Sequence, residues 1–88
     1  MAGYRVLVVD DQKDIRRLLA TALRSVGSTW DIIEVPSAEE AMVVAMRRPV
    51  ELLITYIALP GISGLELVKK FGSRFSNSKI ILITGMTD

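Results

Sequence analysis

The stretch YRVLVVDD, residues 4–11, decides the fold. Tyr4 to Val9 is short and rich in β-branched residues, and apart from Arg5 it has no polar position before it stops at the carboxylates of Asp10 and Asp11. A strand with one wet face alternates apolar and polar residues, whereas a strand in a parallel sheet covered on both faces is apolar throughout. The run is therefore read as a buried parallel strand, with the acid pair marking where the chain leaves the sheet. Beyond it, Ile15, Leu18, Leu19, Ala22, Leu23 and Val26 form one helical stripe, and Gly27 is placed to end that helix with a left-handed cap.

The same alternation continues to the end of the chain. Trp30 to Val35 reads as a second strand, and Ser37 with Glu40 has the spacing of a capping box opening a helix whose stripe is Ala38, Ala41, Met42 and Ala45. Pro49 closes the connection to a third strand, Leu52 to Thr55, which runs into the turn Leu59-Pro60-Gly61. Ser63 and Glu66 repeat the capping-box spacing before a third helix with Leu65, Val68 and Phe71 on its stripe. The polar run Ser76-Asn77-Ser78 then separates it from Ile80 to Ile83, a fourth apolar strand. Strand and helix alternate throughout. The fold class is α/β, a parallel sheet with helices on both faces and right-handed crossovers, in one domain over residues 1–88.

The composition narrows the function. At 88 residues the chain suits a single small core, and an apolar fraction of 50% is high for that size, which predicts surface covered by something else. Eleven basic residues against ten acidic give a net charge of +1, which offers no electrostatic grip on nucleic acid or on anionic lipid. Arg16, Arg17, Arg24, Arg47 and Arg48 read as solvated helix faces. Cysteine is absent, which excludes disulfides and thiolate metal sites, and histidine is absent as well. No apolar run approaches membrane-spanning length, and the amino terminus lacks the basic-then-apolar pattern of a signal peptide. A soluble cytoplasmic chain is expected.

In parallel sheets ligands collect beyond the carboxyl ends of the strands, where strand order reverses. Asp10 and Asp11 stand at that end of the first strand and Thr55 and Tyr56 at that end of the third. Adjacent carboxylates on a strand-to-helix turn suit Mg2+, which takes a few carboxylate or carbonyl oxygens and keeps several waters. The plainer alternative is that Asp11 or Asp14 caps the first helix and Asp10 faces water.

Three segments together, VLVVDD at 6–11, LLITYIALPGISG at 52–64 and IILITG at 80–85, resemble the receiver domain of two-component response regulators. The resemblance covers nearly the whole chain and implies a doubly wound, flavodoxin-like sheet of strand order 2-1-3-4 without the last helix-strand-helix portion. It makes Asp10 and Asp11 the acid pair that holds Mg2+, with the backbone carbonyl of Ala58 as a further ligand. Thr84 becomes the hydroxyl that senses a bound phosphoryl group, with Gly85 leaving room beside it, while Pro60 and Gly64 shape the turn. On local rules alone Thr84 is also an ordinary β-branched strand end, and the prolines and glycines are ordinary turn residues.

The chain departs from that family at the phosphoacceptor position, where Tyr56 stands in place of an aspartate. Phosphoryl transfer from a phosphohistidine needs a nucleophilic carboxylate there, and a tyrosine hydroxyl is mostly protonated at neutral pH. Losing one acidic group of three also predicts weak or absent Mg2+ binding. Tyr56 is expected to turn towards the acid pair and donate a hydrogen bond to it.

The chain also ends early for the family, which leaves the fourth strand as an apolar edge and predicts a homo-oligomer. The leading function is a receiver-like signalling module, not an enzyme, that no longer takes phosphate in the usual way and works by binding a histidine kinase or other signalling protein, without nucleic acid or membrane. The alternative is a working phosphoacceptor receiver seen as part of a longer or altered chain. A nucleotide- or flavin-binding enzyme is disfavoured, because the first turn, Asp-Asp-Gln-Lys-Asp at 10–14, has none of the glycines that let a phosphate approach the backbone.

Overall fold

A computed structural model describes residues 3–84. Four strands, β1 (Arg5–Val9), β2 (Asp31–Val35), β3 (Leu52–Tyr56) and β4 (Lys79–Ile83), alternate with three helices, α1 (Lys13–Val26), α2 (Ala38–Arg47) and α3 (Gly64–Arg74). The strands form one parallel sheet in the order β2-β1-β3-β4, as the resemblance implied. The strand β1, apolar apart from Arg5, lies between two neighbours, and Val6, Leu7, Val8 and Val9 are buried on both sides of it. Its apolar run has no alternation because neither face meets water.

The two faces carry separate cores. On one, α2 and α3 cover Leu7, Val9, Val35 and Leu53 with Ala38, Ala41, Ala45, Leu67 and Phe71. On the other, Val6, Val8 and Ile54 lie under Leu19 and Leu23 of α1, joined by Tyr4 and Trp30, whose rings stack at 5.2 Å. The caps of α2 and α3 form as their spacing predicts: the backbone N–H groups of Glu40 and Glu66 each donate to the serine hydroxyl three residues back, at 3.2 Å.

Several local expectations need correction. Tyr4 and Trp30 fall just outside their strands, where the pair of rings packs over the sheet edge, and β3 and β4 each gain one residue, Tyr56 and Lys79. Gly27 does end α1, its N–H donating to the Leu23 carbonyl at 2.9 Å, but in an extended conformation (φ −126°) and not a left-handed one. The Trp30 indole stands where a Gly27 Cβ would be, so close packing is the reason for glycine there.

The stripe of α1 is rotated by about one residue from its predicted phase. Ala20 is fully buried and Arg16 is turned inward, while Leu18 and Val26 are 68% and 75% exposed. In α3 the inward residues are Gly64, Leu67 and Phe71, and Leu65 faces out. Both shifts follow from where the sheet lies, which local periodicity does not contain.

Candidate functional site at the carboxyl edge of the sheet

Parallel pairing aligns the carboxyl ends of the strands. Val9 is opposite Thr55 and Tyr56 is opposite Ile83, so the residues that follow emerge along one edge of the sheet. Asp10, Asp11, Tyr56, Ala58 and Thr84 all stand on that edge, although they come from the ends of three different strands, β1, β3 and β4, and the loops that follow.

Asp10 is 2% exposed, unusual for a carboxylate, and its position is set from several sides. Its N–H donates to the Val35 carbonyl at 3.2 Å, one Oδ1 accepts from the Gln12 N–H at 2.9 Å, and the Arg16 guanidinium donates to its carbonyl at 2.8 Å. Asp11 is exposed. The N-cap position of α1 is Gln12, with no side-chain cap, so neither Asp11 nor Asp14 performs the capping role that was the plainer alternative. Nor does Asp10 simply face water.

The turn after β3 is fixed by its backbone. Ile57 donates to the Ile83 carbonyl at 2.8 Å and accepts from Gly64 at 2.9 Å, while Gly61 adopts a left-handed φ of 74°. A Cβ on Gly64 would overlap the Tyr56 carbonyl oxygen, so glycine is what lets α3 begin against the end of β3. Thr55, fully buried, donates through its hydroxyl to the Tyr56 carbonyl at 3.1 Å. The loop thus holds Tyr56 and Ala58 at the edge.

Tyr56 does not make the contact expected of it. Its half-buried ring packs against the core under α2 and α3, and among the described residues no hydrogen bond joins its hydroxyl to Asp10 or Asp11. The apolar ring gains more by covering that core than its hydroxyl would by leaving water for a carboxylate. Thr84 is exposed, and Gly85 lies outside the described residues.

For a hard divalent cation the edge supplies two carboxylates and the accessible loop around Ala58. Among the described residues no group of three acidic, histidine or cysteine side chains converges. Two carboxylates with a carbonyl fit a hydrated Mg2+, which keeps waters for its remaining positions. Asp10, Asp11 and the Ala58 carbonyl are the groups that would hold it, and the ion would supply positive charge at this edge.

Sequence reasoning missed the support beneath the acid pair. Glu34 of β2, with only 14% of its side chain exposed, receives Arg16 at 3.3 Å and Arg17 at 3.1 Å, with Arg24 at 3.9 Å. Of the arginines expected on solvated helix faces, Arg16 is largely buried at 13% side-chain exposure, while Arg17 and Arg24 remain solvated at 61% and 50%. The available signal was the second acid of the strand DIIEV, Glu34, in phase with the partly buried Ile32.

The family model for the response regulator receiver domain matches residues 6–88. The chain belongs to the response regulator receiver domain family. Among relatives of this receiver, the transcriptional regulatory protein AruR of Pseudomonas aeruginosa is 42% identical over 89 residues, covering 96% of the chain and 35% of AruR. The phosphate regulon regulator PhoB of the same organism is 34% identical over 70 residues, covering 80% of the chain and 30% of PhoB, so the receiver spans about a third of these proteins. Among solved structures, the response regulator TrrA of Thermotoga maritima in complex with Mg2+ and BeF superposes with a TM-score of 0.87 at 37% identity, over 96% of this chain and 71% of that one. TrrA bound to the histidine kinase ThkA gives 0.85 at 36% identity, over 97% and 72%. The doubly wound parallel fold read from the sequence is that of these structures.

Among the described residues no helix is long and apolar enough to cross a membrane.

Proposed function

We propose that this receiver is a signalling module, not an enzyme, that cannot take a phosphoryl group in the usual way and acts by binding a histidine kinase or another cytoplasmic signalling protein. The observation that carries this reading is Tyr56 at the end of β3, on the same edge as Asp10 and Asp11, where the motif LLITYIALPG corresponds to the acceptor carboxylate of the family. With its ring packed on the core, Tyr56 offers neither the nucleophile nor a third oxygen for the ion, so Mg2+ binding is weak. The histidine kinase partner is supported by the TrrA relative, which was solved in complex with one. Self-association is favoured by β4, an edge strand of the described sheet with Ile81 half exposed, and a monomer mass in light scattering at micromolar concentration would remove that part of the reading.

The test is intact mass after incubation with Mg2+ and acetyl phosphate, on this chain and on Tyr56→Asp. The expected result is no phosphoryl adduct on the original chain and at least tenfold more on Tyr56→Asp. An adduct on the original chain overturns the proposal. Base lability would then place it on a carboxylate, in favour of a working phosphoacceptor, and base stability on the Tyr56 hydroxyl.

A further inference from the structure

α2 and α3 lie side by side on the same face of the sheet, and they border two adjacent grooves. The first, about 680 Å³, is lined by Ala38, Met42, Ile62 and Leu67, with Lys70 and Arg74 on its α3 side. The second, about 550 Å³, continues past the carboxyl ends of the two helices between Met46, Arg47, Arg48 and Phe75. Arg74 lines both. Open neighbouring grooves of this kind suit a stretch of polypeptide better than a small molecule, which is usually enclosed.

Its two walls have different chemistry at the same repeat. Met42 and Met46 stand one helical turn apart on α2, and Lys70 and Arg74 one turn apart on α3. Methionine is a flexible apolar side chain that adapts to a partner's surface. Among the described residues Arg47, Arg48, Lys70 and Arg74 have no carboxylate within 4 Å, as is also true of Lys13, Lys69 and Lys79, whereas Arg5, Arg16, Arg17 and Arg24 are each paired. The acids that line the groove are Glu39 and Glu51, and Glu51 already accepts the Arg5 backbone N–H at 2.6 Å. Complementing a helix dipole accounts for Arg47 and Arg74 in their last turns, but not for Lys70.

We infer that this groove docks an acidic, amphipathic helical segment of a partner protein, with its apolar side chains over Met42, Ile62 and Met46 and its carboxylates against Lys70, Arg74, Arg47 and Arg48. The inference is independent of the phosphoacceptor reading, because the groove lies on the helical face and not at the carboxyl edge. Charge complementarity selects the partner and apolar contact along the floor retains it.

A helical-peptide display library selected against the full chain tests this, with fluorescence anisotropy of the enriched peptides as the measurement. The expected binders carry apolar residues at i and i+4 beside Asp or Glu. They bind at least tenfold more weakly to Lys70→Glu/Arg74→Glu and to Met42→Ala/Met46→Ala, and equally well to Leu18→Ala on the opposite face. Lys70→Gln/Arg74→Gln, which removes charge without reversing it, gives an intermediate loss and serves if the reversed variant fails a circular dichroism check of its fold. No enrichment, enrichment of neutral or basic peptides, or affinity unchanged by the charge variants overturns the inference. Tighter binding of a single-stranded oligonucleotide than of any peptide, lost in the same variants, overturns it in favour of nucleic acid.

Discussion

The two faces of the sheet solve the same packing problem differently. Under α2 and α3 the contact is almost wholly apolar. The helix α2 brings three alanines against the sheet, and Phe71 of α3 meets Phe75 at 4.8 Å, the rings tilted by 53°, in the same core as a fully buried Leu53. Under α1, apolar contact is limited to Leu19, Ala20 and Leu23, and the helix is tied down beside it by Arg16 and Arg17 on Glu34. The longest helix, with the widest apolar stripe, therefore buries the smaller share of it. Hydrophobic periodicity states which side chains are available for burial, and only the position of the neighbours decides which of them are buried.

The largest expected effect lies on the apolar face. Phe71→Ala empties the centre of that core and should cost about 3–5 kcal/mol, enough to unfold a domain of this size. A urea titration showing a much smaller loss would mean that the two faces differ less than their packing suggests. On the α1 face, Glu34→Ala should cost about 2 kcal/mol, because it strands Arg16, whose side chain is 13% exposed, although Arg17 and Arg24 are largely solvated and contribute little. If the same titration gave no loss, the ion cluster would be an accident of the surface. The smallest effect is expected at Leu18→Ala, within about 0.5 kcal/mol, since Leu18 has little to lose. A loss of about 2 kcal/mol or more there would mean that the exposed stripe of α1 is covered in solution.

The order of the elements was legible because each carries its own local signal. Buried parallel strands need unbroken apolar runs, and the serine caps fall three residues before the glutamates whose N–H groups they accept. The candidate site was legible in part. Asp10, Asp11 and Tyr56 were placed at strand ends by the pattern of elements and Ala58 and Thr84 were implied by the receiver resemblance, and the sheet does bring them to one edge. The burial of Asp10 and the packing of the Tyr56 ring were not legible, since both depend on groups from other elements: Val35 of β2 for the Asp10 N–H, and the core beneath α2 and α3 for the ring.

By itself the sequence determined the alternation of strand and helix, the parallel character of the sheet and the residues that stand at its carboxyl ends. These follow from short-range rules: a period of burial, a cap or a turn spans only a few residues. Tertiary structure alone decided the phase of α1, the inward turn of Arg16 on to Glu34, the packing of the Tyr56 ring on the core and the groove whose walls belong to α2 and α3. Each of those depends on two segments meeting across the sheet, where the free energy of a side chain is set by a neighbour distant along the chain and not by the residues beside it.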